Sequence, residues 1–354
     1  MVQENYHPTI AFSYHPSNSI GLDQSESPYP PSPKVIQTIC HAASKINRYP
    51  QVQSSDLQKE LAIYTAKKQS QIVVGNGSDD LIELILKVFV DRSEQVLLPI
   101  PTFPGYWYAA KNLHREVVFV NRIGNFELDV TGIIQKITTR VKVIFIANPN
   151  NPTANLIPRR QIVELVSQVN CLIVIDECYY ELCQETVADL VDVYPNLIVL
   201  RSFSKGFALA GLRVGYAIAP TELASCLKNR TQFFGVNALA QVAAIAALSD
   251  LEYYCTQIKL VQYARNLLAN ELLELGFDVY PSATNFLLVG TSKLDITSTY
   301  VANNLKTKNI YVKDCTELPG LDNFYFRVSI GNDDENQLLL SNLANLMPKN
   351  LQSV

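Results

Sequence analysis

Short apolar runs alternate with helix-length segments between about residues 70 and 220, and this alternation constrains the fold more than any other feature of the chain. Each run is too short to form a helix of its own, and several are apolar throughout, as strands buried on both faces should be. We therefore expect an α/β fold with a mainly parallel seven-stranded sheet between two layers of helices. The runs are QIVV, QVLLPI, EVVFV, VKVIFIA, CLIVIDE, NLIVL and RVGYAIA.

The pattern changes towards the C-terminus. A long helical pattern runs from Asn237 to Leu275 and ends at Gly276, a residue that often terminates helices. It is followed by the strand NFLLV, a helical TSTYVANNLKTK, the strand pair IYVKD and YFRVSI, and a helix around NQLLLSNLANLM. Because 354 residues exceed one compact core, we expect an arm at 1–30, a large domain at 31–232 and a smaller α+β domain at 233–354.

Charge and hydropathy argue against two classes of partner. A net charge of -4 and a pI near 5.7 give no general attraction for nucleic acid or for anionic lipid. No segment reaches the roughly 20 apolar residues of a membrane-spanning helix, and MVQENYHPTI lacks the pattern of a signal peptide. We expect a cytoplasmic protein with no nucleic-acid or membrane partner.

The cysteines and histidines predict no metal site. Seven cysteines without a framework spacing lie mostly in apolar stretches, as Cys171 and Cys178 do, and are expected to be reduced core residues. The four histidines are too scattered to form a cluster of metal ligands.

The segment around Lys205 is the most informative one. It reads Arg201-Ser202-Phe203-Ser204-Lys205 and follows the strand NLIVL. Open α/β sheets bind ligands at such strand ends, and lysine forms Schiff bases with carbonyl cofactors. Alone, a lysine beside serines is usually a solvated loop, but two hydroxyls with Arg213 nearby suit a dianionic phosphate.

A carboxylate ends another buried strand, where it is costly unless it is paired. Asp176 ends CLIVIDE and is followed closely by Tyr179. A helix N-cap or a structural ion pair would explain it, and so would a cofactor. A protonated pyridinium nitrogen is one suitable partner for Asp176, with Tyr179 then reaching the ring oxygen.

Two further loops follow predicted strands. Asn148-Pro149-Asn150-Asn151-Pro152 comes after VKVIFIA, and we read it either as a rigid turn or as the source of an amide donor, Asn151, for a ring oxygen. Gly75-Asn76-Gly77-Ser78-Asp79 joins QIVV to a helix. Amide groups at a helix start can bind an anion, and Ser78 also fits an ordinary N-cap.

With these residues in hand, the chain resembles the class I/II aminotransferases and, within them, the histidinol-phosphate aminotransferase family. The resemblance runs from about Gly21 to Gly331 and implies the fold-type I pyridoxal-phosphate-dependent transferase architecture. It implies that Lys205 carries pyridoxal 5′-phosphate and shuttles a proton. It also implies that Asp176 contacts the ring nitrogen, and that Tyr179 and Asn151 contact the ring oxygen.

The same resemblance implies roles for several more residues. Phe103, in PTFPGY, would stack on the ring, and Tyr49 would cross a homodimer interface so that two subunits share each active site. Arg327 would bind the substrate's anionic group, with Lys313, Asn151 and Tyr29 also at the substrate. The cofactor phosphate would be held by Ser78, Asp79, Ser202, Ser204 and Arg213.

Five positions depart from the family pattern. Ser25 stands where asparagine is expected and Pro30 where glycine is expected. Ala154 replaces glycine and Cys178 replaces alanine, both small changes that should be tolerated. Lys313 stands where these enzymes usually present a second arginine. A point charge there cannot make the bidentate contact of a guanidinium, which weakens the case for a phosphate-bearing substrate.

Three functional hypotheses follow. The first is transamination of histidinol phosphate with a 2-oxo acid such as 2-oxoglutarate. The second keeps the cofactor but acts on a free amino acid, for example an aromatic or arginine-like one, by transamination, oxidation, cyclisation, elimination or decarboxylation. The third, a silent domain, is disfavoured because the set around Lys205 and Asp176 is complete. Tyr14, Tyr29 and Phe103 supply apolar walls for a flat substrate or ordinary core packing.

Overall fold

The computed structural model describes residues 15, 16 and 18–346. The predicted wall residue Tyr14 lies outside this part of the chain. The strands are β1 (Ile20–Gly21), β2 (Ile72–Gly75), β3 (Gln95–Ile100), β4 (Glu116–Asn121), β5 (Val141–Ala147), β6 (Leu172–Asp176), β7 (Leu197–Ser202), β8 (Gly215–Ile218), β9 (Asp278–Val279), β10 (Phe286–Gly290), β11 (Ile310–Tyr311), β12 (Lys313–Asp314) and β13 (Tyr325–Ser329).

Helices connect most of the strands. They are α1 (Pro33–Ala43), α2 (Ser55–Thr65), α3 (Ser78–Phe89), α4 (Pro104–Asn112), α5 (Val130–Lys136), α6 (Arg159–Gln168), α7 (Tyr180–Cys183), α8 (Thr221–Lys228), α9 (Ala238–Leu248), α10 (Leu251–Glu274), α11 (Ser298–Thr307) and α12 (Asp333–Ala344). No helix among the described residues is both long and apolar enough to span a membrane.

The large sheet has seven strands in the order β2-β8-β7-β6-β5-β3-β4. Strand β8 is antiparallel to both of its neighbours, whereas the other pairings are parallel. The predicted mainly parallel seven-stranded sheet is therefore confirmed, and its strands are the seven apolar runs. Because β5, β6 and β7 are adjacent and parallel, their carboxyl ends meet at one edge of the sheet.

Alternate residues of each central strand point to opposite faces and enter separate cores. In β5, Ile144 and Ile146 pack with α1, α2, α6 and α9 on one face. Val143 and Phe145 pack with α3, α4 and α8 on the other. Burial on both faces explains why these runs contain almost no polar residue.

A second sheet, antiparallel and in the order β12-β13-β10-β9, packs with α10, α11 and α12 around a third core. The predicted helical pattern of 237–275 is interrupted at Ser249 and Asp250, and its end before Gly276, which has φ +89°, is as expected. The predicted strand IYVKD divides into β11 and β12, and β11 pairs with β1 in parallel. The domain limits at 30 and 232 remain predictions.

Candidate active site

A cavity of about 640 Å³ lies at the carboxyl ends of β5, β6 and β7, between the two sheets. The start of α3 and the segment Gln24–Glu26 form two of its walls, and Arg327 reaches it from β13. Most of the predicted site residues converge here. Those lining the cavity are Ser78, Asp79, Phe103, Asn151, Asp176, Tyr179, Ser202, Ser204, Lys205, Arg213 and Arg327.

Lys205 lies three residues beyond the end of β7, and its amine faces the N-terminal segment. Its Nζ donates a 2.8 Å hydrogen bond to the carbonyl oxygen of Gln24. Part of the side chain faces the open cavity, but burial of the amine lowers its pKa to about 8, and the Arg327 and Arg213 cations act in the same direction. A lysine with a lowered pKa is suited to react with a carbonyl group.

The buried Asp176 carboxylate accepts hydrogen bonds at both oxygens. The phenol of Tyr106 donates to Oδ2 at 2.6 Å, and the backbone N–H of Cys178 donates to Oδ1 at 3.0 Å. Burial raises the pKa of Asp176, while the bonds from Cys178 and Tyr106 lower it. Tyr106 lies in the PTFPGY motif, but its contact with Asp176 is not among the predictions from the sequence. The signal that could have indicated it is the spacing of three residues from Phe103 at the start of a helix.

A chain of hydrogen bonds joins the two sheets across the cavity. Asn151 Nδ2 donates to the Tyr179 hydroxyl at 3.3 Å, and Asn151 Oδ1 accepts from Arg327 Nη1 at 2.6 Å. Arg327 Nη2 donates to the carbonyl oxygen of Asp23. Burial raises the pKa of Tyr179 to about 12, although Arg327 opposes the shift. Asn151 thereby fixes the positions of both Tyr179 and Arg327.

Hydroxyls and a guanidinium line the opposite end of the cavity. Arg213 Nη1 donates to Ser204 Oγ at 3.3 Å, and Arg213 Nη2 bonds Asp79 Oδ2 at 2.9 Å. Ser78 is the first residue of α3, so its backbone N–H points out of the helix end. The set combines a helix start, hydroxyls and a guanidinium, which are donors that suit a phosphate.

Two glycines allow this close approach. A Cβ at Gly77 would lie 2.5 Å from Arg213 Nη2, and one at Gly215 would lie 2.7 Å from the Ser78 nitrogen. Either would displace a donor, and Gly77 also has φ +84°, which side chains rarely adopt. The glycine motif of the sequence is therefore required by the geometry of this end of the cavity.

Three predicted site residues do not line the cavity. Tyr49 is 83% exposed and stacks on Phe234, with ring centroids 4.5 Å apart. Lys313 pairs with Arg327 across β12 and β13, but its side chain is exposed to solvent. Tyr29 is half-buried against the core of the second sheet. None of these three side chains therefore lines the cavity of its own chain.

The departures from the family pattern differ in their surroundings. Ser25 and Cys178 line the cavity. Ala154 is buried, and Pro30 accepts a bond from the Tyr253 hydroxyl at its carbonyl oxygen. The sequence did not single out Gln24 or Glu26, which also form part of the wall.

The expectation that the cysteines are mostly core residues is wrong for the chain as a whole. Cys40, Cys226 and Cys255 are exposed, and only Cys315 is fully buried. They lie on the outer faces of helices or at their ends, where apolar neighbours in the sequence do not imply burial. Within the described residues, no group of three or more metal-ligating side chains could hold an ion.

A buried ionic cluster supports the Lys205 loop from behind. Arg201 Nε donates to Glu177 Oε2 at 3.0 Å, and the Tyr64 hydroxyl donates to Glu181 Oε1 at 3.3 Å. Glu181 packs against Gly206, and a Cβ added to Gly206 would lie only 2.5 Å from the Cβ of Glu181. Burial raises the pKa of Glu181 to about 7 despite the opposing effect of Arg201.

Comparison with known proteins agrees with this geometry. The family model for class I and II aminotransferases matches residues 17–343. The chain belongs to this family. The prediction of a pyridoxal-phosphate-dependent aminotransferase is thereby confirmed. The chain is also 35% identical to a histidinol-phosphate aminotransferase of Methanosarcina mazei over 331 residues, which cover 93% of this chain and 89% of the relative.

Two solved structures extend the comparison and confirm the fold-type I architecture of this aminotransferase. The histidinol-phosphate aminotransferase of Clostridium acetobutylicum superposes with a TM-score of 0.86 at 27% identity, covering 92% of this chain and 98% of the other. That of Sinorhizobium meliloti, solved in complex with pyridoxal 5′-phosphate, has a TM-score of 0.86 at 25% identity, covering 95% and 91%.

The residues of this aminotransferase fit that cofactor. The cavity offers an amine for its aldehyde, a buried carboxylate for its ring nitrogen and an aromatic face, Phe103, for its ring. The helix start and the Arg213 guanidinium form a separate cradle for its phosphate. Asp79, the acidic side chain near the cradle, is already paired with Arg213.

Proposed function

We propose that this enzyme transfers an amino group from histidinol phosphate to a 2-oxo acid such as 2-oxoglutarate, with pyridoxal 5′-phosphate as cofactor. The observation that carries the proposal is the convergence of the Lys205 amine, the Asp176 carboxylate and the Arg327 guanidinium on one cavity. The named relatives, at up to 35% identity over most of both chains, support the choice of amino donor.

Each side chain then has a task. Lys205 binds the cofactor covalently and moves a proton at its Nζ. Asp176 holds a proton on the ring nitrogen, and Tyr179 with Asn151 orients the ring oxygen. When bound, the cofactor supplies a ring that accepts electrons from the substrate carbon. The burial of Asp176 strengthens its interaction with a cationic nitrogen, because the local dielectric constant is low.

Arg327 is our candidate for the substrate's anionic group. Its planar donors suit a carboxylate or a phosphate oxygen pair. Among the described residues that line the cavity, the other cations are Lys205 and Arg213, which are assigned to the cofactor. Because a free amino acid needs only one guanidinium for its carboxylate, it is the second candidate donor.

The test is the rate at which candidate donors convert the bound aldehyde form of the cofactor to the amine form. Histidinol phosphate is compared with a panel of free amino acids, and oxygen uptake and carbon dioxide release are followed in the same samples. The proposal predicts that histidinol phosphate reacts fastest and that neither gas changes. Lys313→Arg, measured alongside, should leave the reaction with histidinol phosphate unchanged, because the Lys313 side chain is exposed and does not line the cavity. A much faster reaction with an amino acid would overturn the choice.

We also propose a homodimer with shared active sites. Tyr49 supports it, since a tyrosine that is 83% exposed and stacked on Phe234 is available to a second copy. Two further exposed apolar side chains are close to this pair in sequence: Phe233 precedes Phe234, and Ile46 lies three residues before Tyr49. The cytoplasmic location remains a prediction from the sequence.

A further inference from the structure

Asn150, directly before Asn151 in the chain, has no exposed surface and is hydrogen-bonded at both polar atoms of its side chain. Its Oδ1 accepts a 3.2 Å hydrogen bond from the Thr102 hydroxyl. Its Nδ2 donates to the carbonyl oxygen of Pro101 at 3.0 Å and to the Thr153 hydroxyl at 2.6 Å. An amide side chain combines one acceptor oxygen with two N–H donors, so few other residue types could make these three bonds at once.

The bonds of Asn150 join two loops that follow different strands of the large sheet. Pro101 and Thr102 come after β3 and directly precede Phe103, whereas Asn150 and Asn151 come after β5. Strands β3 and β5 are parallel neighbours, so the loops that follow them lie side by side. Phe103 and Asn151 both line the cavity. One buried side chain therefore connects the loop that carries the aromatic face to the loop that carries the amide.

The connection is held from both sides. The Pro101 carbonyl oxygen also accepts a 3.2 Å hydrogen bond from Nε of Arg122, a buried residue directly after β4. On the other side, the Thr153 hydroxyl donates to Asn155 Oδ1, and the backbone N–H of Asn150 donates to the Asn155 carbonyl oxygen at 3.0 Å. Another rotamer of Asn150 would leave several buried polar groups without partners, which is costly.

The face of a planar ring and one atom at its edge together define its orientation. In this cavity Phe103 is assigned to the face of the cofactor ring and Asn151 to the ring oxygen. We propose that Asn150 is a positioning residue that fixes the Phe103 ring relative to the Asn151 amide and thereby sets the orientation of the bound cofactor. This inference rests on the cofactor contacts of the proposed function and not on the identity of the amino donor.

The test compares cofactor binding to three variants. Thr102→Val removes one of the two bonds between the loops, and Asn150→Ala removes both. Thr153→Val is the matched control, since it also removes a hydroxyl bonded to Asn150 but leaves both bonds to the Phe103 loop. The cofactor Kd should rise roughly 3-fold to 10-fold in Thr102→Val and about 10-fold to 100-fold in Asn150→Ala, because a loosened site must be ordered on binding. The visible circular dichroism of the bound cofactor, which reports ring orientation, should change in both and stay as in the wild type in Thr153→Val.

A double-mutant cycle separates positioning from general stabilisation of the fold. Phe103→Leu removes the aromatic face, so adding Thr102→Val to it should change the cofactor Kd by less than about 2-fold. Additive effects of the two changes, or an equal loss of binding in Thr153→Val, would overturn the assignment. If Asn150→Ala does not fold, Thr102→Val and the cycle decide the question. A protein that binds the cofactor as predicted here but ignores histidinol phosphate would overturn the choice of amino donor alone.

Discussion

The Tyr106 phenol donates a 2.6 Å hydrogen bond to Oδ2 of Asp176 deep beneath the cavity, where Tyr106 itself has no exposed surface. The contact favours the charged form of the Asp176 carboxyl, because this bond opposes the rise in pKa that burial causes. Tyr106 therefore positions Asp176 and tunes its charge, although it is not itself predicted to touch the ring nitrogen.

Replacing Tyr106 by Phe should lower kcat/KM by about 10-fold, since a hydrogen bond to a charged group is lost. Cofactor content, measured by absorbance, should stay near that of the wild type. Tyr108→Phe on the same helix is the control, because Tyr108 is exposed. Equal kinetics in the two variants would show that the Tyr106 hydroxyl does not act on Asp176.

Replacing Asp176 by Ala should reduce the rate by about 100-fold to 1,000-fold, the range for removing one preorganised electrostatic partner. Cofactor retention should fall much less, since the phosphate cradle and Lys205 remain. Asp176→Asn keeps the shape and removes the charge, and it should be similarly slow. Nearly normal rate constants in both variants would exclude a role for the carboxylate charge.

Lys205 makes cofactor uptake depend on pH. Its amine must be neutral to bond an aldehyde, and its pKa is lowered to about 8. The uptake rate of cofactor-free protein should therefore rise with pH, about tenfold per unit well below pH 8, and level off above it. Stopped-flow absorbance measures this rate. Lys205→Ala should retain its circular dichroism spectrum and lose all turnover, whereas Lys87→Ala, on an exposed face, should behave as the wild type.

Tyr49 provides a test of the shared active site. Mixing a Tyr49→Phe variant that is impaired with inactive Lys205→Ala protein should restore some activity, because a hybrid dimer has one site with both native residues. The measurement is specific activity after subunit exchange. Activity that merely equals the average of the two separate preparations would argue against Tyr49 crossing the interface.

Glu181 predicts how stability changes with pH. Its pKa is raised to about 7 in the folded protein, so its protonated form is favoured by folding. The stabilisation that results is fully present below about pH 4.3, the pKa of a glutamate in the unfolded chain, and it is lost as the pH rises through 7. Glu181→Gln should remove a decline in the free energy of unfolding of up to about 1.4 kcal/mol per pH unit. Denaturant melts at several pH values measure it; parallel curves for both proteins would contradict it.

The sequence predicted the large sheet well because its strands carry their own signal. Residues such as Ile144 and Phe145 are buried on opposite faces of one strand, so the whole run is apolar. Polar residues directly after such runs, including Asp176 and Asn151, could be placed at one edge for the same reason. The antiparallel direction of β8 leaves no comparable mark, since its run is buried and apolar like those of the parallel strands.

The remaining parts of the site depend on contacts that local patterns do not encode. The acceptor for Lys205 is a backbone carbonyl at Gln24, and any residue type could provide it. Lys313, on the edge strand β12, is directly opposite Arg327 on β13, yet its side chain is exposed to solvent. In the proposed homodimer Tyr49 would act on the site of a second copy, a contact that lies outside a single chain.

The N-terminal segment has a consequence for how the enzyme matures during synthesis. Ser25 and Asp23 are bonded to β13 residues 304 positions later, and Gln24 to Lys205 after 181 positions. Translation is vectorial, so the first wall of the cavity leaves the ribosome long before its partners exist. The seven-stranded sheet is complete once β8 has emerged, whereas the catalytic cavity closes only after nearly the whole chain has been made. A nascent chain released early would thus be folded in its larger part and inactive.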